Sequence, residues 1–157
     1  MNQLNVDLNE LNIETPPHLD HITFEHEKFF SGYETLNALI YSRLVFDIVT
    51  YTLDPQVLSR FRARRVIYHH ASKPIEDFII QYQQTHNVHS KLYIGYENTK
   101  PKVVYVGSWN CVRPTYLDLM VKCGQKDAKF LVKYFNNLWQ QCSTSHDSTT
   151  NPIVSLS

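Results

Sequence analysis

The sequence has few cysteines, no long apolar run and no net charge, and each absence removes a class of protein. Only three cysteines occur, Cys111, Cys123 and Cys142. Their number is odd, none lies in a C-x-x-C pair, and all sit in or beside apolar segments. They read as reduced structural thiols and not as a disulfide framework. No stretch approaches the roughly 18 apolar residues needed to cross a bilayer. Met1 to His18 is polar and acidic, without the basic and apolar regions of a secretory signal. A soluble protein of the cytosol, with no membrane element, is the expectation. No internal repeat is present. His86 and His89 have a spacing seen in metal sites, but no cysteine pair or acidic cluster completes a zinc sphere, so no metal is expected.

The zero net charge conceals an asymmetry. Met1–Asp54 holds nine acids and two bases, whereas Pro55–Lys133 holds thirteen bases and five acids. A basic half of this kind suits a phosphate-rich partner, although it also describes a solvated basic face beside an acidic one. The total of 157 residues is one ordinary domain, able to bury roughly 70% of its unfolded surface.

Residues 1–17 show no regular period and read as an N-terminal arm; 143–157, rich in Ser, Thr and Asn, read as a flexible tail. Between them, residues 18–142 alternate helix and strand signals. Leu19–Glu25 alternates like a strand. Ser31-Gly32-Tyr33-Glu34 is a capping box, and the spacing of Leu36, Leu39 and Ile40 gives the helix that follows an apolar face. Leu44–Thr50 has the composition of a strand covered on both sides. Asp54-Pro55 opens a short helix through about Phe61, and Val66–Tyr68 is a third strand. Pro74 opens a helix through about Gln84, with Ile75, Phe78, Ile79 and Tyr82 on one side. Three strands follow, Val88–Tyr96, Val103–Asn110 and Tyr116–Cys123, then an amphipathic helix over about Asp127–Gln141. The pattern predicts an α/β fold, a mixed β-sheet flanked by helices.

Two short segments carry chemistry: His89-Ser90-Lys91 and Gly107-Ser108-Trp109-Asn110. In a strand, positions i and i+2 share a face, so His89 lies beside Lys91 and Ser108 beside Asn110. If the two strands pair as a hairpin, the start of the first meets the end of the second. Gly107 then lets backbone approach a ligand. An imidazole, an ammonium, a hydroxyl and an amide would converge on one spot, a set suited to a phosphoryl group.

These residues resemble the signature of the phospholipase D superfamily, H-x-K with a later aspartate, followed by G-S/T-x-N. The likeness in chain order runs from about His18 to Cys142. Tyr96 stands at the aspartate position, with Glu97 next to it, and the loop between the motifs is about four residues longer. In the family that aspartate is mainly a structural support, and nuclease-like members resembling restriction endonucleases can lack it. The resemblance also implies an acidic residue after G-S-x-N that orients the histidine. Asp118 is the candidate for that role, with a salt bridge to Arg113 or Lys122 as the alternative.

The resemblance implies two-step covalent catalysis through a phosphohistidine, without a metal or cofactor. One chain carries one H-x-K, so a homodimer placing two copies of His89 across the phosphate is expected. The implied activity is that of a phosphodiesterase, foremost an endonuclease on DNA or RNA. A catalytically weak or inactive protein that binds nucleic acid or a protein partner is the alternative, and a lipid phosphodiesterase is the least favoured reading. The catalytic candidates are His89, Lys91, Ser108, Asn110 and Asp118. Candidates for substrate binding are Trp109, which would stack on a base or pack in the dimer seam, His69 and His70 at a strand end, and Arg113. The run Arg60, Arg62, Arg64 and Arg65 reads either as a backbone grip or as a solvated helix end.

Overall fold

The protein, described for residues 27–148 by a computed structural model, begins with a short strand β1 (Lys28–Ser31) that runs into helix α1 (Gly32–Ser42). The Ser31 hydroxyl accepts from the Glu34 amide at 3.1 Å, and the Glu34 carboxylate accepts from the Ser31 amide at 2.8 Å. Two amides without helical partners are thereby satisfied at the point the sequence pattern marks. Then come β2 (Val45–Leu53), α2 (Pro55–Leu58), β3 (Arg62–Ala71), β4 (Gln81–Gln84), β5 (Lys91–Glu97), β6 (Lys100–Gly107), β7 (Leu119–Lys122) and α3 (Gln125–Ser148). The strands form one mixed sheet in the order β1-β7-β6-β5-β2-β3-β4, with β2 parallel to β3 and β3 parallel to β4.

Phe46 to Thr50 on β2 are buried without interruption, as the apolar run requires of a strand covered on both faces. Alternation sends Phe46 and Ile48 to a core shared with Leu36 and Leu39 of α1 and with Val57 and Leu58 of α2. Val49 faces the other way, into a core closed by Phe135 of α3 together with Ile67, Leu92 and Val104. The expected α/β architecture, a mixed sheet between helices, is what the chain adopts. No helix among the described residues is long and apolar enough to cross a membrane. The three cysteines form no disulfide, and burial pushes their thiols up, Cys123 to about 11 with help from Asp127 and Glu27.

Several local expectations are corrected. The strand expected at Leu19–Glu25 lies outside the described residues. The segment after Pro74 is not a helix: residues 74–80 are irregular, and Gln81–Gln84 add as an edge strand to β3. Its helical spacing does not form one inward face: Ile75 and Tyr82 pack against the core, but Phe78 and Ile79 are 86% and 90% exposed. The Asp77 carboxylate instead accepts from the Ile79 amide at 2.8 Å, a local turn that competes with helical pairing. Helix α2 ends at Leu58 and not near Phe61, and α3 continues to Ser148, six residues into the stretch expected as tail. Of the three strands after His86, two are shorter than expected and the middle one keeps its eight residues but lies three positions earlier. The β5 strand begins at Lys91, β6 ends at Gly107, and β7 begins at Leu119.

The arginine run is resolved by one buried carboxylate. Asp47 is wholly buried and receives Arg64 Nε at 2.9 Å and Arg65 Nη2 at 2.6 Å. Two consecutive strand residues ordinarily point to opposite faces. Here a bulge intervenes, because Phe46 pairs with Ala63 but Asp47 pairs with Arg65, leaving Arg64 as the extra residue. Arg64 also lies over the Tyr96 ring at 4.0 Å, and Arg65 over Phe135 at 4.8 Å, which ties α3 to the sheet. Arg64 and Arg65 are therefore internal ties, neither a phosphate grip nor a solvated helix end. Breaking a buried pair from one side leaves an uncompensated charge. Asp47→Ala is expected to lower unfolding free energy by about 3 kcal/mol, the low end of the buried range because Arg64 keeps access to water. Denaturant midpoints would measure this, and an unchanged midpoint would contradict it.

Buried phenols set the alkaline limit. Tyr82 is pushed up to about 12 by burial first and then by Asp77, Tyr68 and Cys111, and Tyr93 is pushed well above its ordinary value. The fold holds these groups neutral. Their contribution is complete below the unfolded value of about 10 and is lost as pH rises through the folded one. Unfolding followed by fluorescence should accompany the phenolate absorbance rise between about pH 10 and 12. Full phenolate formation in a still-folded protein would refute this.

Candidate active site

The two motifs meet at one end of the sheet. In the β5–β6 hairpin Lys91 pairs with Gly107, so the residues before Lys91 and after Gly107 leave the sheet together. The left-handed Asn98, at φ 58°, closes the turn at the far end of that hairpin. A side chain on Gly107 would run into the Leu119 carbonyl oxygen and the Met120 sulfur, so glycine serves the close approach of β7 and not of a ligand.

Past Gly107 the chain crosses the start of β5 and reaches the end of β2. Leu53 bridges Cys111, and the Asp54 amide donates to the Cys111 carbonyl at 2.8 Å. Pairing between β2 and β5 ends at Val49 and Leu92, which leaves the next β2 amides without a strand partner on that side. Asn110 supplies one. Its Oδ1 accepts from the Tyr51 amide at 2.9 Å and the Thr52 amide at 3.0 Å. Its Nδ2 donates to no described residue, so two N–H bonds remain to offer. Thr50, fully buried beside it, accepts from the Cys111 amide at 2.9 Å.

His89 precedes the strand, so the alternation expected to set it beside Lys91 does not operate there. The ring stacks instead on Tyr51, with centroids 5.6 Å apart and planes 13° from parallel. His89 is exposed. The Lys91 ammonium donates to the His89 carbonyl at 3.0 Å. On the other side of Tyr51, His69 stacks at 4.5 Å, with His86 edge-on to it at 5.1 Å. His69 Nδ1 lies 3.1 Å from the Thr85 carbonyl, an acceptor only. That nitrogen therefore carries the proton, leaving Nε2 free in the neutral ring.

The sequence candidates thus divide. His89, Lys91 and Asn110 gather around the end of β2, and His69 joins them through Tyr51. Ser108 is exposed but turned toward β7, where its hydroxyl accepts from the Leu119 amide at 2.9 Å. Asp118 reaches no imidazole among the described residues: its Oδ2 accepts from the Thr115 amide at 3.0 Å and hydroxyl at 3.1 Å, against Gly32. It lies in the turn before β7, not within the strand, and its partner is its own turn and neither a histidine nor Arg113 or Lys122. Arg113 is exposed beyond the loop. His70 lies on the opposite face from His69, in a surface depression of about 480 Å³ with Tyr68, Lys73 and Gln84.

Trp109 corrects the expectation most sharply. It is fully buried within a single copy, stacked on Tyr93 at 4.7 Å, with its Nε1 donating to the Val112 carbonyl at 3.0 Å. Neither a base nor a dimer seam can reach it. Tyr51 was missed because the strand signal stops at Thr50, one residue short. The signal available was its position at the end of a buried strand, where ligands gather.

A seven-stranded mixed sheet with H-x-K leading into β5 and G-S-x-N leaving β6 defines a phospholipase D-type domain. Residues 58–151, more than half of the chain and including both motifs, match the family of the NgoFVII restriction endonuclease N-terminal PLD domain, and the chain belongs to that family. No curated protein matches the chain.

Truncating a fully buried indole leaves a large cavity. Trp109→Ala is expected to cost about 3–5 kcal/mol of stability, measured by thermal or denaturant unfolding. A variant of undiminished stability that had lost only nucleic-acid binding would reverse the assignment.

Proposed function

We propose that the protein is a metal-independent phosphodiesterase, an endonuclease that cuts through a phosphohistidine on His89 with the site completed by a second copy of the chain. The observation that carries this is the meeting of the two motifs at the end of β2: the exposed His89 imidazole lies on the Tyr51 ring, the Lys91 ammonium on the His89 carbonyl, and Asn110 holds the Tyr51 amide with its Nδ2 uncommitted. The name of the family supports DNA as the polymer.

In this reading a ring nitrogen of His89 attacks phosphorus, forming an N–P bond as the P–O bond to the leaving oxygen breaks. The imidazolium of the second copy's histidine gives that oxygen its proton. Water, losing a proton to the same imidazole, then attacks phosphorus, cleaves the N–P bond and restores His89. Lys91 and the Asn110 amide offset the charge on the non-bridging oxygens. Proton transfer alone contributes roughly 10²–10⁴ in rate. A two-fold axis lets one H-x-K supply both nucleophile and acid.

A second reading keeps the fold without the chemistry, as a binder of nucleic acid. It is favoured by the absence, among the described residues, of any carboxylate on His89 and by the engagement of Ser108 with the backbone of β7.

Plasmid, single-stranded DNA and RNA incubated with the protein in EDTA separate the two. Cleavage is expected to survive chelation and to fall by about 10⁴-fold or more in His89→Ala. Binding without cleavage would establish the second reading. Gel filtration is expected to give twice the monomer mass, and elution as a monomer under assay conditions would refute the shared site.

A further inference from the structure

We propose that Tyr51 is the positioning residue for His89, a ring clamp that does the orienting for which no carboxylate among the described residues is in place. The register of the sheet puts Tyr51 between two histidines. On β3 it falls beside His69, between the pairs Thr50–Tyr68 and Thr52–His70. On the other side β5 has ended, and the segment that carries His89 takes the space. The two contacts, 4.5 Å to His69 and 5.6 Å to His89, are both near-parallel, at 20° and 13°.

The row is fixed from its inner end. His69 is held by the Thr85 carbonyl at 3.1 Å, and the Tyr51 backbone by Asn110 Oδ1 at 2.9 Å. Tyr51 thus connects the two motifs: its amide belongs to G-S-x-N and its ring to H-x-K. A histidine outside regular structure, with no side-chain hydrogen bond to a described residue, would otherwise sample several rotamers. Offset stacking against a face that is itself clamped restricts the plane in which the ring nitrogens lie. The Tyr51 hydroxyl bonds to no described residue, so the ring face and not the phenol performs this role.

The geometric claim stands on the contacts; its kinetic consequence rests on the nuclease reading above. The test compares Tyr51→Leu with Tyr51→Phe. Histidine ring-proton spectra, assigned with His89→Ala and His69→Ala, should show the His89 and His69 signals both moving in Tyr51→Leu and both holding in Tyr51→Phe. In cleavage assays kcat of Tyr51→Leu should fall about 10- to 100-fold, the range for a misplaced reacting group, with KM within about twofold and with Phe restoring the rate. A His89 signal indifferent to Tyr51→Leu, a loss confined to KM, or equal damage from Phe would overturn the proposal. Should Tyr51→Leu fail to fold, His69→Ala removes the inner support instead. It should shift the His89 signal from its wild-type position, and no shift would overturn the clamp. If the wild-type protein cuts no nucleic acid, the nuclease reading falls while the spectra still decide whether Tyr51 holds His89.

Discussion

The functional end of this molecule depends on one carboxamide. Asn110 accepts from two consecutive amides of β2 where the neighbouring strand has run out. Unpaired amides at the end of a central strand are costly unless something replaces the ladder, and a side-chain oxygen reaching across from another loop does so here. Through that link the G-S-x-N loop is fastened to the strand whose next ring supports His89. One end of the motif asparagine's amide is therefore structural, and the other bonds to no described residue.

At the opposite end of the same strand, Asp47 performs a different task. A buried carboxylate with two arginines is an expensive way to stabilise a sheet, since desolvation offsets much of the attraction. What it gives is definition. Arg65 bonds Asp47 and lies over two rings of α3, so the helix is fixed in place on the sheet, and Arg64 covers Tyr96. Tyr96 occupies the position where the superfamily signature has its supporting aspartate. In this chain a carboxylate from β2 and an arginine over that phenol occupy the same neighbourhood.

Much of the fold was legible because it rests on local rules. The capping box at Ser31, the buried run that became β2, the proline-initiated turn at Pro55 and the hairpin at Asn98 follow from short-range sterics and hydrogen bonding. The helix expected after Pro74 gives way to non-local pairing: the edge of β3 offers backbone partners to Gln81–Gln84, and Ile75 and Tyr82 reach the core without Phe78 and Ile79. The arginine run was equally opaque, because a single bulge in β3 decides where two of its side chains point.

The sequence by itself determined the class of fold, the two motifs and their placement on neighbouring strands, since hydrophobic periodicity and turn chemistry act over a few residues. Only the tertiary structure decided which motif side chains meet. Strand ends are set by where pairing stops, and here it stops before His89 and before Ser108, so the two-residue alternation could not be extended to them. Trp109 went inward, Asp118 stayed in its own turn, and Tyr51 came to lie between two imidazoles. Each outcome follows from contacts between segments remote in the chain, which no local pattern encodes.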